Sequence, residues 1–216
     1  MAAIDDLVDA AKTGDIGRVR DLICRQPQIA GERLANGESP LMSALYRGHR
    51  DIAQLLIDRG APLDLFAAAA TGRLPALRNA LEAGAAVNDY AYDGWTALHL
   101  AAFFGQLDAA RTLILAGADR SSISRNGLRN TPLHAATAGG HSALAVLLIE
   151  RGADVNVQDA GGHTPLHIAA ENGLADVVTA LLTRGADPLA VDHEDKTPLA
   201  RAAAKNRNDV IDLLNR

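Results

Sequence analysis

Residues 131–167 read TPLHAATAGGHSALAVLLIERGADVNVQDAGGHTPLH, opening and closing on the same four letters 33 positions apart. Thr131 before Pro132 is a helix N-cap, its hydroxyl placed to accept a bond from an otherwise orphan backbone N–H. Pro132, at the first helical position, gives up no useful donor and presets φ. The short helix that follows ends at Gly140, where glycine tolerates the left-handed conformation needed to turn back. Leu144, Leu147 and Leu148 then lie on one face of a second helix, which Gly152 terminates. Ala153-Asp154-Val155-Asn156 starts an extended excursion that returns to Thr164. The stretch therefore predicts helix, turn, helix and finger.

The pattern recurs along the chain. A further box stands at Thr197-Pro198-Leu199-Ala200, with weaker copies at Ser39-Pro40-Leu41-Met42 and Thr96-Ala97-Leu98-His99. Gly48, Gly72, Gly105, Gly140 and Gly173 follow the box positions, and Gly60, Gly84, Gly117, Gly152 and Gly185 lie twelve residues further on. Both series step by 24, 33, 35 and 33 residues, which fixes a repeat as the organising principle. The expected repeats cover 5–38, 39–62, 63–95, 96–130, 131–163, 164–196 and 197–216, as one domain with no linker. The outer flanks of the terminal repeats should be polar. Asp5, Asp6 and Asp9 near the start, and Arg201, Lys205 and Arg207 near the end, supply that polarity.

Length, box and the Gly-Ala-Asp-Val-Asn segment together resemble the ankyrin repeat, over essentially all of the chain. The resemblance implies an all-α solenoid of stacked helix-turn-helix repeats with β-hairpin-like fingers. Fingers and first helices would line a concave face that binds another protein. It also implies that box residues His99, His134 and His167 bond the Thr hydroxyl and nearby backbone. Asn88 and Asn156 match a position whose side chain ties the finger backbone together.

Composition agrees with these expectations. Apolar residues make up 48% of the chain but only 3% are aromatic, so small side chains must build the core by close helix packing. The net charge of −5, without charged blocks, speaks against nucleic acid as a partner. No apolar run approaches the roughly 20 residues of a membrane helix, and 1–10 lacks the basic-then-apolar order of a secretory signal. The single cysteine, Cys24, cannot form an internal disulfide and fits a reducing compartment. It reads as a small buried hydrophobe. A monomeric cytoplasmic protein is expected.

Individuality lies where the repeat breaks. Nine residues are missing between Gly60 and the third helix pair, so that finger is absent. The finger from Ala118 to Asn130 is two residues longer and carries Arg120, Arg125 and Arg129. Five of the seven aromatic residues, Tyr90, Tyr92, Trp95, Phe103 and Phe104, sit within fifteen residues between these two anomalies. Binding hot spots favour tryptophan, tyrosine and arginine. Tyr46, Arg47, Tyr92, Trp95, Phe103, Phe104, Arg125 and Arg129 are therefore the expected partner-binding patch. The alternative for Trp95 and Phe103 is packing between neighbouring fingers.

No catalytic site is expected. His49 and His141 follow turn glycines, a fixed repeat position, and the box histidines are structural. His163 and His167 have a metal-compatible spacing, but Thr164 and Pro165 put a helix start between them. His163 and His193 are minor contact candidates. There is no phosphate loop, dinucleotide fingerprint or His-Glu-x-x-His motif, and no cofactor is called for. The chain reads as an interaction module, with an inhibitory subunit or structural spacer as the rival roles.

Overall fold

The computed structural model describes residues 3–215, whose fourteen α-helices pair into seven hairpins. These are α1 (Ala3–Thr13) with α2 (Ile16–Arg25), and α3 (Pro40–Tyr46) with α4 (Arg50–Asp58). Next come α5 (Leu65–Thr71) with α6 (Leu74–Glu82), and α7 (Ala97–Phe103) with α8 (Leu107–Leu115). The last three are α9 (Pro132–Ala138) with α10 (Ser142–Glu150), α11 (Pro165–Asn172) with α12 (Ala175–Thr183), and α13 (Pro198–Ala204) with α14 (Asn208–Leu214). The caps sit where Ser/Thr-Pro chemistry puts them. Ser39 Oγ accepts from Met42 N at 3.2 Å and Thr197 Oγ1 from Ala200 N at 3.2 Å.

Two local features differ from the sequence pattern. The first helix of the third hairpin starts one residue late, because Asp64 rather than Leu63 is its cap. Its Oδ1 accepts from Ala67 N at 2.8 Å, while its Oδ2 pairs with Arg33 Nη2 at 2.6 Å. A side chain on the preceding finger thus holds the helix start that follows the missing one. Cys24 is exposed, not buried as expected. Val19 and Ile23 are the buried positions of α2, four residues apart. Cys24 lies about 100° further round the helix and faces water.

The described residues form two compact units divided after Ala68, a boundary inside α5. In the first unit α1 packs on α3 and α2 on α4. In the second, α7, α9, α11 and α13 pack in one row, and α6, α8, α10, α12 and α14 in another. Leu98, Leu133 and Leu166 fill the first row beside Ala101, Ala102, Ala135, Ala136, Ala169 and Ala170, all at most 1% exposed. Leu113, Leu148 and Leu181 do the same for the second row. Methyl-sized side chains let helix axes approach closely, and each buried leucine contributes about 1.5–3 kcal/mol.

The fingers are hairpin turns rather than strands. Each is closed by one backbone bond: Leu34 N to Glu38 O, Ala91 N to Trp95 O, Asp159 N to His163 O and Asp192 N to Lys196 O. Three residues lie inside each of these closures. In the finger 118–130 the closing bond runs from Ser124 N to Asn130 O, at 2.8 Å. Both additional residues are therefore taken up in the tip, which holds Arg125, Asn126, Gly127, Leu128 and Arg129. In the second unit successive tips are also joined: Arg125 N donates to Gly94 O, Ala160 N to Leu128 O and His193 N to Gly161 O, at 2.8–3.0 Å. Gly94 has φ of 79°, and a Cβ there would lie 2.8 Å from the Arg125–Asn126 backbone. Only glycine permits that approach.

Candidate functional site

The most perturbed ionisable groups all have structural work. In the three boxes that keep both threonine and histidine, the Thr N–H donates to the histidine Nδ1 at 3.1–3.3 Å. Nδ1 is thus an acceptor and the proton sits on Nε2. Nε2 then donates across to the next finger: His99 to Asn130 O, His134 to His163 O and His167 to Lys196 O, each at 3.0 Å. Burial holds all three imidazoles below their ordinary pKa, and pushes His99 down to about 4. Neutral rings with both nitrogens engaged have no lone pair or proton left for chemistry. Met42 and Ala200 take the box histidine position where no complete finger follows in the described chain.

A second ladder of donors runs along the turns between paired helices. His49 Nε2 donates to Lys12 O at 3.3 Å in the first unit. In the second, Gln106 Nε2 donates to Ala70 O (3.2 Å), His141 Nε2 to Phe103 O (3.0 Å) and Arg207 Nε to Glu171 O (3.0 Å). Each satisfies a carbonyl left over at a helix C-terminus. Leu174 stands at this position and cannot donate. Asn172 takes over, its Nδ2 reaching Thr137 O at 3.0 Å. The asparagine position of the fingers works similarly. Asn88 and Asn156 each bond the following hairpin twice, to Gly117 O and Asp119 N, and to Gly185 O and Asp187 N.

With these groups assigned to the scaffold, the surface that remains lies on the finger tips and adjoining helix ends of the second unit. An aromatic run crosses it. Trp95 stacks on His99 with ring centroids 6.0 Å apart and meets Phe103 edge-on at 5.1 Å; Phe103 meets Phe104 edge-on at 5.2 Å. Trp95 is only 6% exposed, whereas Phe103 and Phe104 are half-buried. Trp95 is the backing of the run and the two phenylalanines are its face. Tyr92 is 37% exposed on its tip. Beside it the Arg125 guanidinium carbon lies 3.9 Å from the centroid of Tyr90, whose hydroxyl donates to Ile123 O at 3.2 Å. Arg129 is exposed, with φ of 50°. Tyr46 and Arg47 end α3 in the first unit, half-buried and exposed respectively.

Sequence reasoning passed over part of this surface. Tyr90 stood out as an aromatic, but its pairing with Arg125 depends on how two fingers stack. Ile123 and Leu128 are exposed large hydrophobic residues on the long finger, and Val191 is another on the last one. For Leu128 the signal was the position of the extra residues within the tip, visible only once the closing bond is known.

The last finger carries the strongest ion pair. The Asp192 carboxylate is fully buried and takes both Arg201 Nε and Nη2 at 2.6 Å. Burial alone would raise its pKa. The Arg201 bonds and the Glu194 and Lys196 N–H groups outweigh that, holding it far below the usual carboxylate range. His163 lies between this carboxylate, at 3.8 Å, and Asp159, at 3.2 Å. His193 is exposed. Among the described residues no group of three or more His, Cys, Asp or Glu is placed to hold a metal ion, and no helix is long and apolar enough to cross a membrane.

A family model described as ankyrin repeats, in three copies, matches the chain over 7–124, 65–160, 120–192 and 158–215. These matches overlap and together span the seven hairpins. No curated protein matches the chain.

Proposed function

The chain belongs to the ankyrin-repeat family, whose members generally mediate protein binding, and from that premise we propose that it is a protein-binding module rather than an enzyme. The contact surface is the row of finger tips and first-helix ends in the second unit. One observation carries this reading: Tyr92, Ile123, Leu128 and Val191 are exposed on fingers that backbone bonds already hold in place. Large apolar side chains at fixed positions lose little entropy when a partner covers them. Phe103 and Phe104 extend the surface along α7, with Trp95 behind them, and Arg125 and Arg129 border it. Such an arrangement of aromatic residues and arginine suits a hot spot. In the first unit Tyr46 and Arg47 offer a second contact point of the same chemistry. A standard interface of roughly 1,600 Å² would draw on three or four hairpins. We place the protein in the cytoplasm, acting as a monomer without a cofactor.

Affinity capture from a cell extract tests the reading, with the intact chain beside a Tyr92→Ala, Phe104→Ala variant. A partner retained by the intact chain and lost by the folded variant is expected. A protein that retains nothing, or turns over a small molecule, would exclude it.

A further inference from the structure

We infer that the five-residue tip of the finger 118–130 receives an acidic, extended segment of the partner, with carboxylates on Arg125 and Arg129 and an aliphatic side chain against Leu128. This rests on the protein-binding reading and adds the chemistry of what is bound. The first ground is which residue stands at the left-handed position of the tip. Gly37, Gly94 and Gly162, and Asp195 at φ of 57°, hold the left-handed position two residues before the next Ser or Thr cap. In the long finger that position is Arg129, at φ of 50°. A branched-off side chain in this region carries a cost that glycine avoids. The conformation is held locally: Arg129 N–H donates to Asn126 O at 3.3 Å, and Leu128 N and Asn130 N donate to Asn126 Oδ1 and Ser124 Oγ, each at 3.0 Å, which leaves the exposed Arg129 side chain on a fixed backbone. A cation on an ordered backbone at the tip loses little entropy when it pairs with a carboxylate.

The second ground is how Arg125 is held. Its guanidinium carbon sits over the Tyr90 ring, 3.9 Å from the centroid, and Tyr90 is itself fixed by its bond to Ile123 O. Stacking uses the face of a guanidinium and leaves its in-plane N–H groups for a carboxylate. Because the side chain is already ordered, less entropy is lost on pairing.

The third ground is the distribution of charge. The chain as a whole is acidic, with a net charge of −5. The finger 118–130 runs against that balance, setting Arg120, Arg125 and Arg129 against Asp119 alone. The finger 186–196 has the reverse, with Asp187, Asp192, Glu194 and Asp195 against Lys196. Two of those carboxylates, Asp192 and Glu194, are paired with Arg201, whereas the finger 118–130 carries a surplus of positive charge that draws an acidic ligand. Between the two arginines Leu128 is 56% exposed, so the tip offers apolar contact flanked by positive charge. A projection of five residues is too small for a standard globular interface and suits the few anchor residues of a linear segment. Nucleic acid is the weaker fit, since Asp89, Asp93 and Asp119 lie on the same two fingers.

The test is selection of a random peptide library on the full chain, with the Arg125→Glu, Arg129→Glu variant and the single Arg129→Glu variant in parallel. The single variant keeps the Arg125–Tyr90 stack, and an unchanged thermal midpoint shows that each protein is folded. The expected result is enrichment of peptides rich in Asp and Glu around Leu, Ile or Phe. Affinity for a selected peptide should fall about tenfold or more in the double variant, less in the single one, and weaken with added salt. The double variant should itself enrich Lys and Arg. Neutral or basic consensus peptides, affinity indifferent to the two arginines, or displacement by a single-stranded oligonucleotide would each overturn the inference. Peptides that ignore the tip but are lost on Phe104→Ala would remove it while leaving the protein-binding reading in place. A library from which nothing is enriched removes it too, and capture from extract then decides the broader reading separately.

Discussion

His99 donates through Nε2 to Asn130 O at 3.0 Å while its Nδ1 accepts from Thr96 N–H, so one imidazole closes its own helix and anchors the next finger. Both bonds need the neutral ring in a single tautomer. Protonation at Nδ1 would abolish the acceptor and place a charge in the buried interface between two hairpins.

The first prediction is a pH dependence with a definite sign. His99 takes up protons at 6.5 when unfolded and at about 4 when folded. Between these values the unfolded chain binds more protons, so stability is complete above about 6.5 and falls as pH is lowered toward about 4. His99 alone contributes about 3 kcal/mol to this loss, and His134 and His167 act in the same direction. Urea unfolding at a series of pH values checks it; a stability curve flat across this window would refute the assignment.

A second prediction concerns the turn ladder. Asn172→Ala leaves Thr137 O without its donor and should cost about 1 kcal/mol. A Cβ at Gly140 would meet nothing within 4 Å, so there is room beside this turn for a longer reach from position 174. Leu174→His in the Asn172→Ala background should recover most of the loss, measured by denaturant midpoint.

Strain and binding should separate at Arg129. Arg129→Gly is expected to stabilise the fold by about 0.5–1 kcal/mol, because the left-handed backbone is then free of its Cβ. The same change should weaken binding of an acidic peptide. Thermal melts and titration on one preparation test both halves, and a loss of stability would show that the arginine side chain holds the tip together.

Trp95 and Phe104 should differ in kind. Trp95→Ala empties a buried site between His99 and Phe103 and should cost about 3–5 kcal/mol. Phe104→Ala should cost far less in stability and more in partner affinity. Equal effects on stability would mean that Phe104 too is packing.

The buried pair of the last finger gives a final prediction. Asp192→Ala leaves the Arg201 guanidinium only Glu194 Oε2, at 3.2 Å, and should destabilise by about 1–3 kcal/mol. Because the Asp192 pKa is depressed on folding, the pair's contribution is present above the ordinary carboxylate range and lost as pH falls through it. Unfolding of the variant near neutral pH and in acid measures the difference, which should shrink in acid.

What the sequence determined by itself was the repeat and its helix pairs. Thr131 before Pro132 and glycine at Gly140 or Gly152 act through φ preference and capping within a few residues, so their signal survives without a tertiary structure. The same locality made the long finger conspicuous. Tertiary structure decided the rest, because the deciding partners lie far along the chain. His141 finds Phe103 O at a separation of 38 residues, Asn88 finds Asp119 N at 31 and Tyr90 finds Ile123 O at 33. Whether an aromatic residue is backing, like Trp95, or face, like Phe104, depends on which neighbouring hairpin covers it. The same holds for Cys24, exposed by a single step round α2, and for Arg129, whose left-handed backbone comes from how the tip closes. Backbone preference is written residue by residue; burial and pairing arise only when one hairpin is laid against the next.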